Sequence, residues 1–203
     1  MPHSWGVLLF SVLGAFSASA GTISIVGSLA AGDPNDVFIY AVTVAPGGNL
    51  TIQGWGYGGG VNAAGAVIPP GGLDGYLSVF SGSGPTATFL ASDDDGGCPP
   101  GAAAPFCADP RLVLTGLAPG AYTLALSTFG NMSFAENWGA GTLGDGFVGL
   151  GSYFDWRTLS DRTPAYALDI TTDNGAPVPE PGSASLLALA ILAAAFRAAH
   201  KSM

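Results

Sequence analysis

Three consecutive carboxylates, Asp93-Asp94-Asp95, run into Gly96 and form the densest charge in the sequence. Adjacent carboxylates repel one another unless water or a cation screens them, and hard oxygens at a glycine-containing turn suit Ca²⁺. Asp74, Asp109 and the Asp33/Asn35/Asp36 group are further acids that the fold could bring close to complete such a site, Asp74 being taken with the triplet as the candidate set. The spacing is not that of an EF-hand, and the alternative is a solvated turn whose aspartates cap backbone amides. Calcium is the one cofactor this composition suggests.

A second group is aromatic. Trp55, Tyr57, Trp138, Tyr153, Phe154 and Trp156 sit mostly in glycine-rich, loop-like sequence. Exposed Trp and Tyr faces stack on sugar rings while neighbouring acids and amides bond the hydroxyls. Trp138 in Glu136-Asn137-Trp138 and Trp156 in Tyr153-Phe154-Asp155-Trp156 have that composition, and the partner would be an extracellular polysaccharide. The competing role is to cover a core that glycine-rich strands cannot seal alone. Glycosidase chemistry needs two carboxylates at a set separation with one pKa raised. Glu136 is the sole glutamate of the chain's body and Asp155 its natural partner, but nothing in the sequence positions the pair.

The missing residue types restrict function further. His3 and His200 lie at the chain ends and Lys201 is the only lysine, so the body has neither histidine nor lysine. That removes the usual general base, the usual zinc ligand and the Ser-His-Asp arrangement, together with Schiff-base and P-loop chemistry. The expectation is therefore a protein that is not an enzyme. All 14 acids except Glu180 fall in the body, against Arg111, Arg157 and Arg162. So acidic a body has no basic footprint for a phosphate backbone, which argues against nucleic acid as a partner.

Cys98 and Cys107 bracket the run CPPGAAAPFC, a tight Pro/Gly loop that a disulfide could close. An oxidising, exported compartment permits the bridge, and closing so small a loop contributes about 2–3 kcal/mol in the chain-entropy model. Redox-active thiols would call for a CxxC spacing or a positive neighbour, and the sequence offers neither.

Both ends of the chain differ from its middle. Residues 4–20 are apolar and close on Ala18-Ser19-Ala20, the small-residue pattern of a signal peptide cut before Gly21. At the other end Val178-Pro179-Glu180-Pro181-Gly182 precedes an apolar run, which is followed by Arg197, His200 and Lys201. Extended to Ser183–Ala199, with Arg197 snorkelling, the run gives a helix of about 26 Å, just short of a hydrocarbon core of about 30 Å. The basic end, Arg197 and Lys201, would stay in the cytoplasm and leave the body outside. These three features, in this order at the terminus, resemble the PEP-CTERM sorting signal of Gram-negative bacteria. The resemblance implies an exosortase-type processing enzyme as partner, a transient inner-membrane anchor through a transmembrane helix at 183–199, and delivery to the envelope or the extracellular matrix.

Between the ends the apolar period is two. In Ala121–Thr128 the residues Tyr122, Leu124 and Leu126 point inward and Thr123, Ala125 and Ser127 outward, whereas Asp36–Val44 is apolar on both faces and reads as doubly buried. Asn49–Trp55, Tyr76–Phe80, Thr86–Ala91, Arg111–Gly116 and Ala165–Thr171 read as further strands, separated by Gly/Pro turns. Short strands at this spacing predict an all-β sandwich or jelly roll. The segments GDPNDVFIYAVTVAPGGNLTI, LDGYLSVFSGSG, FLASDDDGG and DPRLVLTGLAPGAYTLALS, spanning Gly32–Ser127, are similar to the pre-peptidase C-terminal domain. That resemblance implies a jelly-roll β-sandwich that binds or spaces and does not catalyse, here with an insertion at Gly56–Gly72. The chain thus divides into a signal peptide (1–20), one β-sandwich domain (21–176) and a sorting tail (177–203).

Overall fold

The computed structural model describes residues 21–104, 106–137 and 141–173. In chain order the first strands are β1 (Gly21–Ser28), β2 (Phe38–Val44), β3 (Gly48–Gly54), β4 (Gly60–Val61), β5 (Val67–Ile68) and β6 (Gly75–Ser81). There follow β7 (Thr88–Asp93), β8 (Arg111–Leu117), β9 (Gly120–Thr128), the short helix α1 (Phe134–Asn137), β10 (Phe154–Asp155), β11 (Ser160–Asp161) and β12 (Ala165–Asp173). Two four-stranded antiparallel sheets result, ordered β1-β12-β3-β8 and β2-β9-β6-β7, with β4-β5 and β10-β11 as small hairpins outside them.

The alternation of the sequence sets the core. Ile23, Ile170, Ile52 and Leu112 lie in one register row across the first sheet, and Leu77, Val79, Leu124 and Leu126 pair across the second. Residues of the two sheets, Leu50, Ile52, Leu168 and Ile170 with Leu77, Val79 and Leu124, form one buried cluster between them. This is a sandwich in which period-two side chains seal a shared interior.

Two sequence expectations are corrected. β2 is an edge strand with a single buried face: Val42 and Val44 are buried while Ile39 is 46% exposed. Its apolar outer residues reflect the preference of β-branched side chains for strands, not double burial. Conversely, β9 is buried on both faces, including Thr123, Ala125 and Ser127. The chain after β9 folds back over the outer face of the second sheet, where Ala135 and Leu143 join Phe80, Ala87, Ala125 and Phe89 in a second apolar cluster. The polar members of that face are satisfied locally: Thr123 donates to the Gly82 carbonyl (2.9 Å) and Ser127 to that of Asn131 (2.7 Å).

Among the described residues no helix is long and apolar enough to cross a membrane. The signal residues Ala18 and Ala20, the Val178–Gly182 motif, the 183–199 helix, Arg197, Lys201 and Trp138 lie outside the described residues. Gly21, the expected first residue of the processed chain, opens β1 against Thr172 of β12.

Candidate functional site

One dense polar network lies where the β10-β11 hairpin meets the Gly-rich insertion. Asp155 is its centre. The carboxylate is buried and accepts four hydrogen bonds: from the Arg157 N–H (2.8 Å), Tyr57 Oη (2.9 Å), Thr158 Oγ1 (2.8 Å) and Arg162 Nε (2.8 Å). Burial opposes ionisation, but the Arg162 bond and the three others outweigh it and hold this carboxyl well below the usual carboxylate range. The Arg162 guanidinium is itself buried and lies 3.2 Å from the Tyr57 ring centroid, so one cation satisfies a carboxylate and a π-face together.

The insertion is tied in from behind. Asp109, fully buried, accepts from the backbone N–H groups of Tyr57 and Gly58, each at 2.7 Å. Gly58 admits no side chain, because a Cβ there would stand 2.6 Å from Cys107 Sγ and 2.9 Å from Asp109 Oδ2. Cys98 and Cys107 form the expected disulfide. The loop it closes carries Phe106, edge-on to Tyr57 at 6.2 Å and 4.9 Å beneath the Arg157 guanidinium.

The acidic residues expected to gather on a cation have different partners. Asp93 accepts from the Arg111 N–H (2.7 Å), and Asp95 pairs with Arg157 (2.9 Å) on the surface. Asp74 stands in the field of Asp155 and Asp95. Asp94 is half-buried at a bend just past the end of β7. Among the described residues no group of three or more His, Cys, Asp or Glu is placed to hold a metal ion. β7 ends at Asp93 and the chain bends at Asp94, so the carboxylates of Asp93 and Asp95 reach different partners.

Asp74 does carry a measurable consequence. Burial, then the charges of Asp155 and Asp95, raise its pKa from 3.8 to about 6. The native state therefore holds this proton more tightly than the unfolded chain, and stability falls as pH rises from about 4 through 6. At pH 7 the penalty is about 1–2 kcal/mol once partial exposure is allowed for. Asp74→Asn is expected to recover that amount at pH 7 and almost nothing at pH 4. Urea unfolding at the two pH values checks it, and equal gains at both would mean that the charge is not the cause.

Glu136 and Asp155, the pair considered for hydrolysis, belong to separate networks. Glu136, on α1, accepts from Tyr76 Oη and from Ser92 Oγ (2.8 Å), and shares no partner with Asp155. Burial and then the Glu136 bond raise the Tyr76 phenol to about 12. Trp55 is buried, its indole N–H donating to Asp169 (2.8 Å), so it serves the core. Trp156 is the opposite: 79% exposed at the hairpin tip, edge-on to Phe154 at 4.8 Å, with Leu159 at 72% beside it.

Below the tip an open cleft of about 310 Å³ is lined by Tyr57, Pro70, Gly71, Thr158, Asp161 and Arg162 among others. Sequence reasoning found Trp156 but missed Arg157, Thr158, Ser160, Asp161 and Arg162. The available signal was charge: two of the three arginines of an acidic body fall within this one hairpin segment.

No protein-family model matches this chain, and neither does any curated protein. Among solved structures it is similar to Aeromonas hydrophila PliG, a periplasmic lysozyme inhibitor of g-type lysozyme. The identity is 12%, over 80% of this chain and 93% of that one, with a TM-score of 0.31. So distant a likeness carries no argument about this chain.

Proposed function

We propose that this chain is a non-enzymatic exported protein of jelly-roll type, delivered by PEP-CTERM sorting to the cell envelope or extracellular matrix. The observation that carries the export is the Cys98–Cys107 disulfide, a bond that persists in oxidising compartments. It agrees with the Ala18-Ser19-Ala20 stop before Gly21 and with the Pro179-Glu180-Pro181 tail, its apolar run and its basic end. The non-enzymatic reading is supported by the engagement of both candidate carboxylates: four donors hold Asp155, and Tyr76 and Ser92 hold Glu136. With its pKa held low, Asp155 is a poor general acid.

The intact mass of protein recovered from its host, in cell-bound and released fractions, tests this reading. We expect a chain running from Gly21 to near Pro181, about 2 Da light for one disulfide. A mass that still includes Lys201-Ser202-Met203 in the released fraction would defeat the sorting proposal. A second reading, a carbohydrate-binding module, is favoured by one observation: an exposed Trp156 on the same hairpin that supplies Thr158, Ser160 and Asp161 to a cleft.

A further inference from the structure

The β10-β11 hairpin joins two surfaces of different chemistry. Its tip carries two exposed apolar side chains, Trp156, which packs against Phe154, and Leu159. Leu159 has φ +52°, and among the described residues it is the sole non-glycine with positive φ. A leucine in that region costs roughly 1–2 kcal/mol, which a glycine would relieve. The Leu159 side chain faces solvent.

The flank of the hairpin is polar. Thr158 and Ser160 present hydroxyls 3.0 Å apart, Asp161 adds an exposed carboxylate, and Arg162 has donors beyond the two it gives to Asp155 and the Tyr57 carbonyl. Tyr57, Pro70, Gly71 and Ala104 complete the lining of the cleft.

From this geometry we infer that the cleft and the hairpin tip form a binding site for an uncharged glycan of pyranose units with equatorial hydroxyls. The inference rests on the carbohydrate-binding reading above and locates it. Such a sugar has an apolar C–H face and a rim of hydroxyls that donate and accept at once. The first matches the exposed faces of Trp156 and Leu159. The second matches a cleft that offers donors at Arg162, acceptors at Asp161 and a hydroxyl at Ser160, the Thr158 hydrogen being given to Asp155. An apolar peptide would leave these groups unpaired, which is costly.

Charge selects against acidic ligands. Arg162 is neutralised by Asp155 and Arg157 by Asp95, so Asp161 leaves the cleft negative on an already acidic body. The cleft volume of about 310 Å³ lies at the small end of ligand pockets, with room for about one or two sugar rings.

The test is calorimetric titration of the full chain, purified in a detergent without a sugar headgroup, with cellohexaose, chitohexaose and oligogalacturonate. We expect one of the two uncharged oligomers to bind and the acidic one not to. Trp156→Ala should weaken binding about tenfold, the loss of one aromatic stacking contact. Asp161→Ala should weaken it several-fold, while Phe129→Ala, an exposed aromatic outside the hairpin, should leave it unchanged. Each variant is first required to match the native melting temperature and disulfide content, with Trp156→His as the substitute if alanine fails. Glycan binding that is insensitive to Trp156 and Asp161 would overturn this site and leave the carbohydrate reading standing. Absence of binding by both uncharged oligomers would overturn both.

Discussion

Replacing Asp155 with alanine is expected to lower the unfolding free energy by about 3–5 kcal/mol, and the melting temperature by about 10 °C or more. The reason is what stays behind. Arg162 is buried, and without Asp155 its guanidinium keeps the desolvation penalty but loses the carboxylate that offsets it. The Tyr57 phenol and the Thr158 hydroxyl lose their acceptor in the same step. A buried ion pair is weak evidence of stabilisation in itself, since two well-packed apolar groups often do as well. The informative measurement is therefore a double-mutant cycle by urea unfolding, with Asp155→Leu, Arg162→Met and the two combined. We expect the double variant to be more stable than Asp155→Leu alone, with a coupling of about 2–3 kcal/mol. Coupling below about 0.5 kcal/mol would show that the two groups are held independently. The pH dependence supplies a second check. A carboxyl held below its ordinary value contributes stability that is fully present above about pH 4 and is lost only in stronger acid, as pH falls through the folded value. The native protein should show that acid limb, and Asp155→Leu should not.

What could be read in advance follows from how far apart the partners lie. The alternation in Ala121–Thr128 and Ala165–Thr171 marks strands because a period of two is local, and both segments are strands. The Cys98–Cys107 bridge was legible for the same reason, its loop being short. The second buried face of β9 was not, because Ala135 and Leu143 reach it through chain of no clear period. Gly56–Gly72, read as an insertion, supplies Tyr57, Pro70 and Gly71 to the cleft, and Tyr57 meets Asp155 across 98 residues. No spacing rule brings such groups together. The triplet Asp93–Asp95 misled in the other direction: adjacency in sequence suggested one shared centre, while the backbone sends Asp93 to the Arg111 amide and Asp95 to Arg157. The Arg162–Asp155 pair, seven residues apart, lies in reach of sequence reasoning, but Asp155 is weighed there only against Glu136.

Replacing both Cys98 and Cys107 with serine is expected to cost about 2–3 kcal/mol, mostly by releasing the unfolded chain from a closed loop. The folded state should respond as well, since the loop braces the hairpin side of the cleft. The N–H groups of Ala103 and Ala104 both donate to the Gly58 carbonyl (3.1 and 3.0 Å), and Phe106 packs between Tyr57 and Arg157. Opening the bridge leaves those contacts to hold a segment that Pro99, Pro100 and Pro105 stiffen only in part. Thermal melting of the native protein with and without a thiol reductant, beside the double-serine variant, checks the energy. The reductant should bring the native melting temperature down to that of the variant and leave the variant unmoved. Amide hydrogen exchange reads the structural part: Ala103 and Ala104 should exchange faster in the variant, with protection in β3 and β9 retained. If the variant melts within about 1 °C of the native protein, the prolines already restrict the unfolded loop and the entropic account fails. If instead the Arg157 and Thr158 amides lose protection together with Ala103 and Ala104, the disulfide loop and the β10-β11 hairpin open as one unit. In that case the bridge sets the rigidity of the Trp156 surface as well as the stability of the fold.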